Sequence, residues 1–278
     1  MPNPSRTMMV GVFTGVFSGL TGVGGGAMLV SLLASWLHFE QRVAQGTSLA
    51  IIMPVALFGA LTYTWQGLTG RFAFDSTLAL SIIPGLAIPS LFGVVVGATW
   101  MSALPAAQLR RAFGIFLFAI SLSMLAKDVV SLGAVASGPV TIPLIFWVLL
   151  GFITGCFSGF LGIGGAMVII PFMSLGAGLP QHMTQGVTLA VVTITTVVGA
   201  ATHHRLGNID AQAFRSIAPT ATVAVVLASL VAGAIDGFWL TKICGLALAY
   251  FAVRFTFPPA GMRSPSPRVD PAAGFYQI

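Results

Sequence analysis

A glycine-broken apolar segment occurs twice, once in each half of the chain, and it limits what this chain can fold into. Gly11 to Gly26 reads GVFTGVFSGLTGVGGG, and Gly151 to Ala166 reads GFITGCFSGFLGIGGA. Laid over one another without gaps from Gly11 to Ala60, the two stretches share 16 identities in 50 positions. Among them are Gly22/Gly162, Gly24/Gly164, Gly25/Gly165, Gln45/Gln185, Gly46/Gly186 and Gly59/Gly199. A glycine cluster costs helix propensity and frees backbone polar groups, which hydrocarbon cannot hydrate. Such a break survives only where protein buries it or where it lines a wet cavity.

Hydrocarbon is the expected surroundings, because 56% of the 278 residues are hydrophobic and 6% are charged, with a mean hydropathy of +0.98. These values lie outside the soluble globular range and describe an integral membrane protein. The six acidic residues (Glu40, Asp75, Asp128, Asp210, Asp236, Asp270) avoid the centres of apolar runs. Most basic residues behind the net charge of +6 sit in loops or at span ends, where they read as topology signals and not as a nucleic-acid surface. Cys156 and Cys244 stand alone, without CxxC or Cys/His spacing, so neither a structural disulfide nor a metal site is expected. GVGGG is not a nucleotide loop: no strand precedes it and no Gly-Lys-Ser/Thr follows, so no cofactor is expected. The opening stretch through Gly26 imitates a secretion signal, but the same pattern returns at Gly151, which marks it as a structural element. Residues 258–278, rich in Pro, Gly and Ser, are expected to form a disordered C-terminal tail.

The sequence predicts an all-α fold of two homologous four-segment repeats, residues 1–130 and 139–257. The eight apolar segments run over 8–37, 44–66, 76–100 and 106–126, then 140–178, 185–204, 213–235 and 238–257. The last three of each half have the ~20-residue length that spans a bilayer. The first of each half is longer and interrupted, and it either crosses once as a kinked helix or dips in and returns. Crossing makes the repeats parallel; re-entry makes them inverted. With a cytoplasmic N-terminus the two readings place eight or nine of the twelve Lys and Arg residues inside, too close to separate them. Both put the two termini in the cytoplasm and differ over the loop around Ser131. Gly67–Asp75 and Gly207–Asp210 read as turns into the third segment of each half.

Matching broken helices in two halves are the pattern by which membrane transporters build a binding site. A helix starting after Gly24-Gly25-Gly26, or after Gly164-Gly165 at Ala166, aims unpaired N–H groups and its positive dipole end at the break. Isolated glycines such as Gly11 and Gly15 read instead as close helix packing. Gln45, Thr47 and Ser48, and Gln185 and Thr188, follow at equal distances from the two breaks and supply neutral donors suited to oxyanions. The Thr193, Thr195, Thr196 cluster reads as hydroxyls bonded to their own helix. His203, His204 and Arg205 end the sixth segment; His203 and Arg205 are candidates for gating or proton coupling, against a plain interfacial anchor. The pairs Ser18-Gly19 and Ser158-Gly159 lack a histidine at matching depth, so no catalytic residues and no enzyme are expected.

On these residues the chain resembles the TauE/SafE family of sulfite exporters and related organosulfur-anion permeases. The resemblance rests on Gly19-Leu20-Thr21-Gly22-Val23-Gly24-Gly25-Gly26 and Gly159-Phe160-Leu161-Gly162-Ile163-Gly164-Gly165, on Gly46-Thr47-Ser48-Leu49-Ala50, and on His203, Arg205, Gly207, Asn208, Ile209 and Asp210. Three places depart from the family pattern: Ser31 stands where Pro171 keeps the usual proline, Tyr63 where His203 keeps the histidine, and the first half lacks the Gly-Asn-Ile-Asp turn. The resemblance implies a secondary transporter in the cell inner (plasma) membrane, exporting sulfite or a short organosulfonate such as sulfoacetate by alternating access. A homodimer is compatible with the sequence, and no nucleic acid is expected as a partner. The alternatives are an anion channel and a non-transporting membrane assembly subunit whose glycines only pack helices.

Overall fold

The structure, a computed structural model, describes residues 4–99, 106–126 and 143–257. The loop around Ser131 and the expected tail from residue 258 lie outside them. Ten α-helices are present among the described residues: α1 (Pro4–Thr21), α2 (Gly26–Ser35), α3 (Gln41–Leu68), α4 (Ser76–Thr99), α5 (Ala106–Leu125), α6 (Leu144–Leu161), α7 (Ala166–Pro171), α8 (Gln181–Arg205), α9 (Ala211–Ala232) and α10 (Gly237–Thr256). A π-helical turn, Phe172–Gly176, continues α7. Six of these helices are long and apolar enough to cross a membrane: α3, α4, α6, α8, α9 and α10. Large apolar side chains such as Leu61, Leu80, Phe92, Ile115 and Leu227 face outward, as lipid contact requires.

Acidic residues work at helix starts. Asp210 accepts from Ala213 N at 2.7 Å to cap α9, and Asp236 accepts from Phe238 N at 2.8 Å to cap α10. Asp75 takes the Leu78 N–H at 2.9 Å at the start of α4. Each such cap contributes about 1 kcal/mol, which explains carboxylates beside apolar runs but not within them.

The first segment of each half, drawn as one interrupted unit in the sequence, is two helices. Helix directions follow from neighbouring residues. Gly11 lies against Thr220, Gly15 against Ala224 and Gly19 against Ala228, so α1 runs parallel to α9. Thr47 meets Asp210, Gly59 meets Val225 and Gln66 meets Ser229, so α3 is parallel to α9 as well. α1 and α3 therefore point the same way, and the chain must come back between them. It does so at the glycines: Gly25 packs on Thr14 of α1, and α2 returns along α3 toward the side where α1 began. Gly165 packs on Thr154 in the same manner.

The central pair, α3 and α8, crosses antiparallel, with Gly46 facing His203, Gly59 facing Leu189 and Gly186 facing Tyr63. Packing is exchanged between the halves: α1 lies on α9, and α6 lies on α4, where Gly155 meets Ser90 and Gly97 meets Cys156. Small residues on these faces let the backbones approach closely, the means by which helices associate in lipid. After the turn that follows α9, α10 runs back, so Pro4 and Thr256 end on the same side.

Candidate functional site

The two glycine loops meet in the middle of the bundle. Gly24 and Gly164 both lie against Ile52 and Val192, at the crossing of α3 and α8, and Gly26 packs on the Ile163 main chain. Gly25 and Gly165 are the N-cap residues of α2 and α7, with φ of 71° and 79°, a left-handed conformation that side chains disfavour by about 1–3 kcal/mol. No side chain caps either helix. Leu29 N makes the first i−4 bond of α2, to Gly25 O at 2.9 Å, so the Gly26, Ala27 and Met28 amides have no acceptor within their helix.

The candidate polar residues divide into three groups. Gln45 and Gln185 lie one turn inside α3 and α8 and reach across the halves: Gln45 Nε2 donates to Phe160 O at 3.1 Å and Gln185 Nε2 to Leu20 O at 3.0 Å. These bonds satisfy carbonyls left open at the C-terminal ends of α6 and α1. The close fit requires glycine beside each glutamine, since a Cβ at Gly22 would lie 2.6 Å from Gln185 Cγ and one at Gly162 would lie 2.8 Å from Gln45 Cβ. Gln185 Oε1 is buried without a partner. Ser48 donates to Gly26 O at 3.4 Å, whereas Thr188, its counterpart in the second half, has a buried and unpartnered hydroxyl. Thr47 belongs to the fold: its Oγ1 accepts from Asp210 N at 2.9 Å and ties the α8–α9 turn to α3.

His203 is buried at the foot of the site against Gly46 and faces the Gly159 main chain, but neither ring nitrogen completes a hydrogen bond. His204 and Arg205 are exposed at the end of α8, apart from the breaks. Thr193, Thr195 and Thr196 bond back to carbonyls of their own helix at 2.7–3.0 Å and leave no donor for a ligand.

Four further hydroxyls lie beside the breaks; none is a binding candidate from the sequence, where Ser18 and Ser158 are weighed only as nucleophiles and set aside. Thr14 and Ser18 on α1, and Thr154 and Ser158 on α6, are fully buried with unpartnered hydroxyls, and the threonine methyls and serine Cβ atoms pack on the N-cap glycines Gly25 and Gly165. A signal for them exists, since both pairs are among the 16 identities shared by the two stretches. Among the described residues, the buried polar side chains are hydroxyls, glutamines and two histidines, with no carboxylate, lysine or arginine. The polar side chains around the breaks are thus neutral hydrogen-bonding groups.

Paired broken helices inside a multi-pass helical bundle define a membrane transporter architecture. The profile of the family described as sulfite exporter TauE/SafE matches residues 1–124 and 147–277, and the chain belongs to that family of membrane transporters. It is 25% identical over 228 residues to the probable membrane transporter protein YunE of Bacillus subtilis, covering 73% of this chain and 79% of that one. A probable membrane transporter protein of Methanocaldococcus jannaschii is 25% identical over 200 residues, 69% of each chain. Another, from Haemophilus influenzae, is 30% identical over 118 residues, which are 40% of this chain and 45% of that relative. No solved structure matches the chain.

Proposed function

We propose that this protein is a secondary transporter that exports a small sulfur-containing anion, sulfite or a short organosulfonate such as sulfoacetate, across the inner membrane. The observation that carries the reading is the meeting of two glycine-broken segments at the α3–α8 crossing, with neutral donors on either side and, among the described residues, no fully buried acidic or basic residue. The peptide groups of Gly24–Gly26 and Gly164–Ala166 bind the oxyanion. Gln45, Ser48, Gln185 and Thr188 complete the shell when the glutamines leave the carbonyls they now hold. Residues 1–130 and 139–257 act as inverted repeats that rock to give alternating access; the antiparallel α3 and α8 and the fold-back at each break support this over the eight-crossing reading. Both termini lie in the cytoplasm, a reading supported by their common side and by the lysine and arginine excess. His203 couples flux to protons or gates it, and the exposed Arg205 draws anions to that end of α8. Sulfur chemistry and the outward direction rest on the family.

The test is thermal stabilisation of the purified protein by sulfite, thiosulfate, sulfoacetate, taurine, sulfate and chloride. A ligand at a hundredfold excess over its Kd stabilises by about 2.7 kcal/mol. A saturable shift with a sulfur anion, lost in Gln185→Ala, supports the reading. Conductance that never saturates in proteoliposomes replaces the carrier with a channel.

A further inference from the structure

The place where the two glycine loops touch is apolar. Val23 and Ile163, the apolar residues inside the loops, are buried at 1% exposure each, and Ile52 and Val192 beside them are fully buried. Gly26 closes directly on Ile163. An oxyanion finds no donor side chain in that contact and would lose its hydration there at a cost of several kcal/mol.

The free donors lie on either side of this septum. Many buried hydroxyls here bond a carbonyl three or four residues back, as Thr21, Thr62, Thr195 and Thr196 do at 2.7–3.0 Å, whereas Thr184, Thr188 and Ser229 are unpartnered like the two pairs that flank the septum. Such a carbonyl is available to any helical hydroxyl, and an unpartnered buried one forfeits roughly 1–3 kcal/mol. Thr14 and Ser18, and Thr154 and Ser158, make no such bond although all four are 0% exposed. The first pair lies toward the C-terminal end of α3, beside Gly19, whose carbonyl takes the Tyr63 hydroxyl. The second pair lies toward the N-terminal end of α3, beside Phe160, whose carbonyl takes Gln45. The first pair also has the open amides at the start of the ten-residue α2 next to it; the second stands on its hydroxyls.

Building on the transporter reading above, we propose that the protein holds two oxyanion half-sites, one on each side of an apolar septum of Val23, Ile52, Ile163 and Val192. Thr14 and Ser18 are the donors of one half-site, Thr154 and Ser158 those of the other. Transport then consists of passing an acceptor-rich, compact oxyanion from one hydroxyl pair to the other as the septum parts.

Equilibrium binding of radiolabelled sulfite, thiosulfate and sulfoacetate to the full chain in nanodiscs tests this. The expected result is two anions per wild-type chain and one in either Thr14→Val/Ser18→Ala or Thr154→Val/Ser158→Ala. All four changes together should leave none, at unaltered melting temperature. Thr14→Ser should keep both anions. One anion per wild-type chain, lost on changing either pair, means a single shared site and overturns the half-sites while the transporter reading stands. Binding in the fourfold variant at the wild-type level removes these hydroxyls from the site and likewise overturns the half-sites alone. Wild-type protein that binds none of the three anions overturns the sulfur-anion reading and the half-sites with it.

Discussion

The two breaks share their glycines and their glutamine braces but not the rest of their supports. At the first, the Tyr63 hydroxyl donates to Gly19 O at 2.6 Å, Ser48 bonds Gly26 O, and α2 continues as ten regular residues. At the second, His203 takes the place of Tyr63 and faces the equivalent Gly159 main chain without closing a hydrogen bond, Thr188 stands in place of Ser48 and is unpartnered, and α7 gives way after six residues to a π-helical turn. A crevice with about 20 Å³ of free space, room for one water, lies between α2 of the first break and the loop of the second. Leu161, Ile163, Ala27 and Arg254 line it, and Arg254 Nε is buried without a partner. Duplication kept the break and let its fastening diverge. By these contacts the first break is the more fastened member of the pair and the second the less fastened.

The largest effect that would break this comparison comes from substituting the N-cap glycines. Gly25→Ala and Gly165→Ala each force a side chain into the left-handed region and onto a threonine methyl, 2.6 Å and 2.4 Å away for an added Cβ, and the backbone strain alone costs about 1–3 kcal/mol. Melting temperature should fall in both. If the second break is the adaptable one, Gly165→Ala should fall less. Next comes an exchange of fastenings. Tyr63→Phe orphans the Gly19 carbonyl and should cost about 1–3 kcal/mol of stability, read by thermal denaturation. His203→Tyr, which supplies the second break with the first one's anchor, should slow flux while leaving the fold intact; unchanged flux would dissolve the distinction between the two breaks. A smaller effect is expected of His203→Gln, which should flatten the pH dependence of flux with a stability change under about 1 kcal/mol. Smallest is Arg254→Gln: the KM for anion offered from the side of the termini should rise a few-fold, with less change from the opposite side. Proteoliposomes of controlled orientation separate the two.

Much of the site can be read from the chain because duplication marks it. The glycine loops, Gln45, Gln185 and the turn ending in Asp210 all stand out in the sequence, and the threonines of α8 follow the ordinary habit of bonding their own helix. What the glutamines hold cannot be read, because Gln45 and Phe160 are 115 residues apart and hydropathy carries no record of which half a helix joins. Thr47 looks like Ser48, its neighbour, and only its bond to Asp210 N separates a structural hydroxyl from one beside the break. Thr14, Ser18, Thr154 and Ser158 stay hidden for a physical reason: helical hydroxyls usually satisfy themselves, so their freedom is visible only in coordinates.

The exchanged packing of α1 on α9 also sets a timetable for the newborn chain. α1 is finished at Thr21, yet its partner begins only at Ala211, most of the chain later. At a synthesis rate of roughly 5–20 residues per second, that interval is on the order of 10–40 s. During it the glycine face of the first hairpin waits in the membrane without the surface it was shaped for. α6 has no such delay, since α4 is already made when it emerges. The protein therefore closes backward, its last-made helices completing its first, and a ribosome stalled anywhere before α9 leaves an open half for insertion machinery or proteases to find.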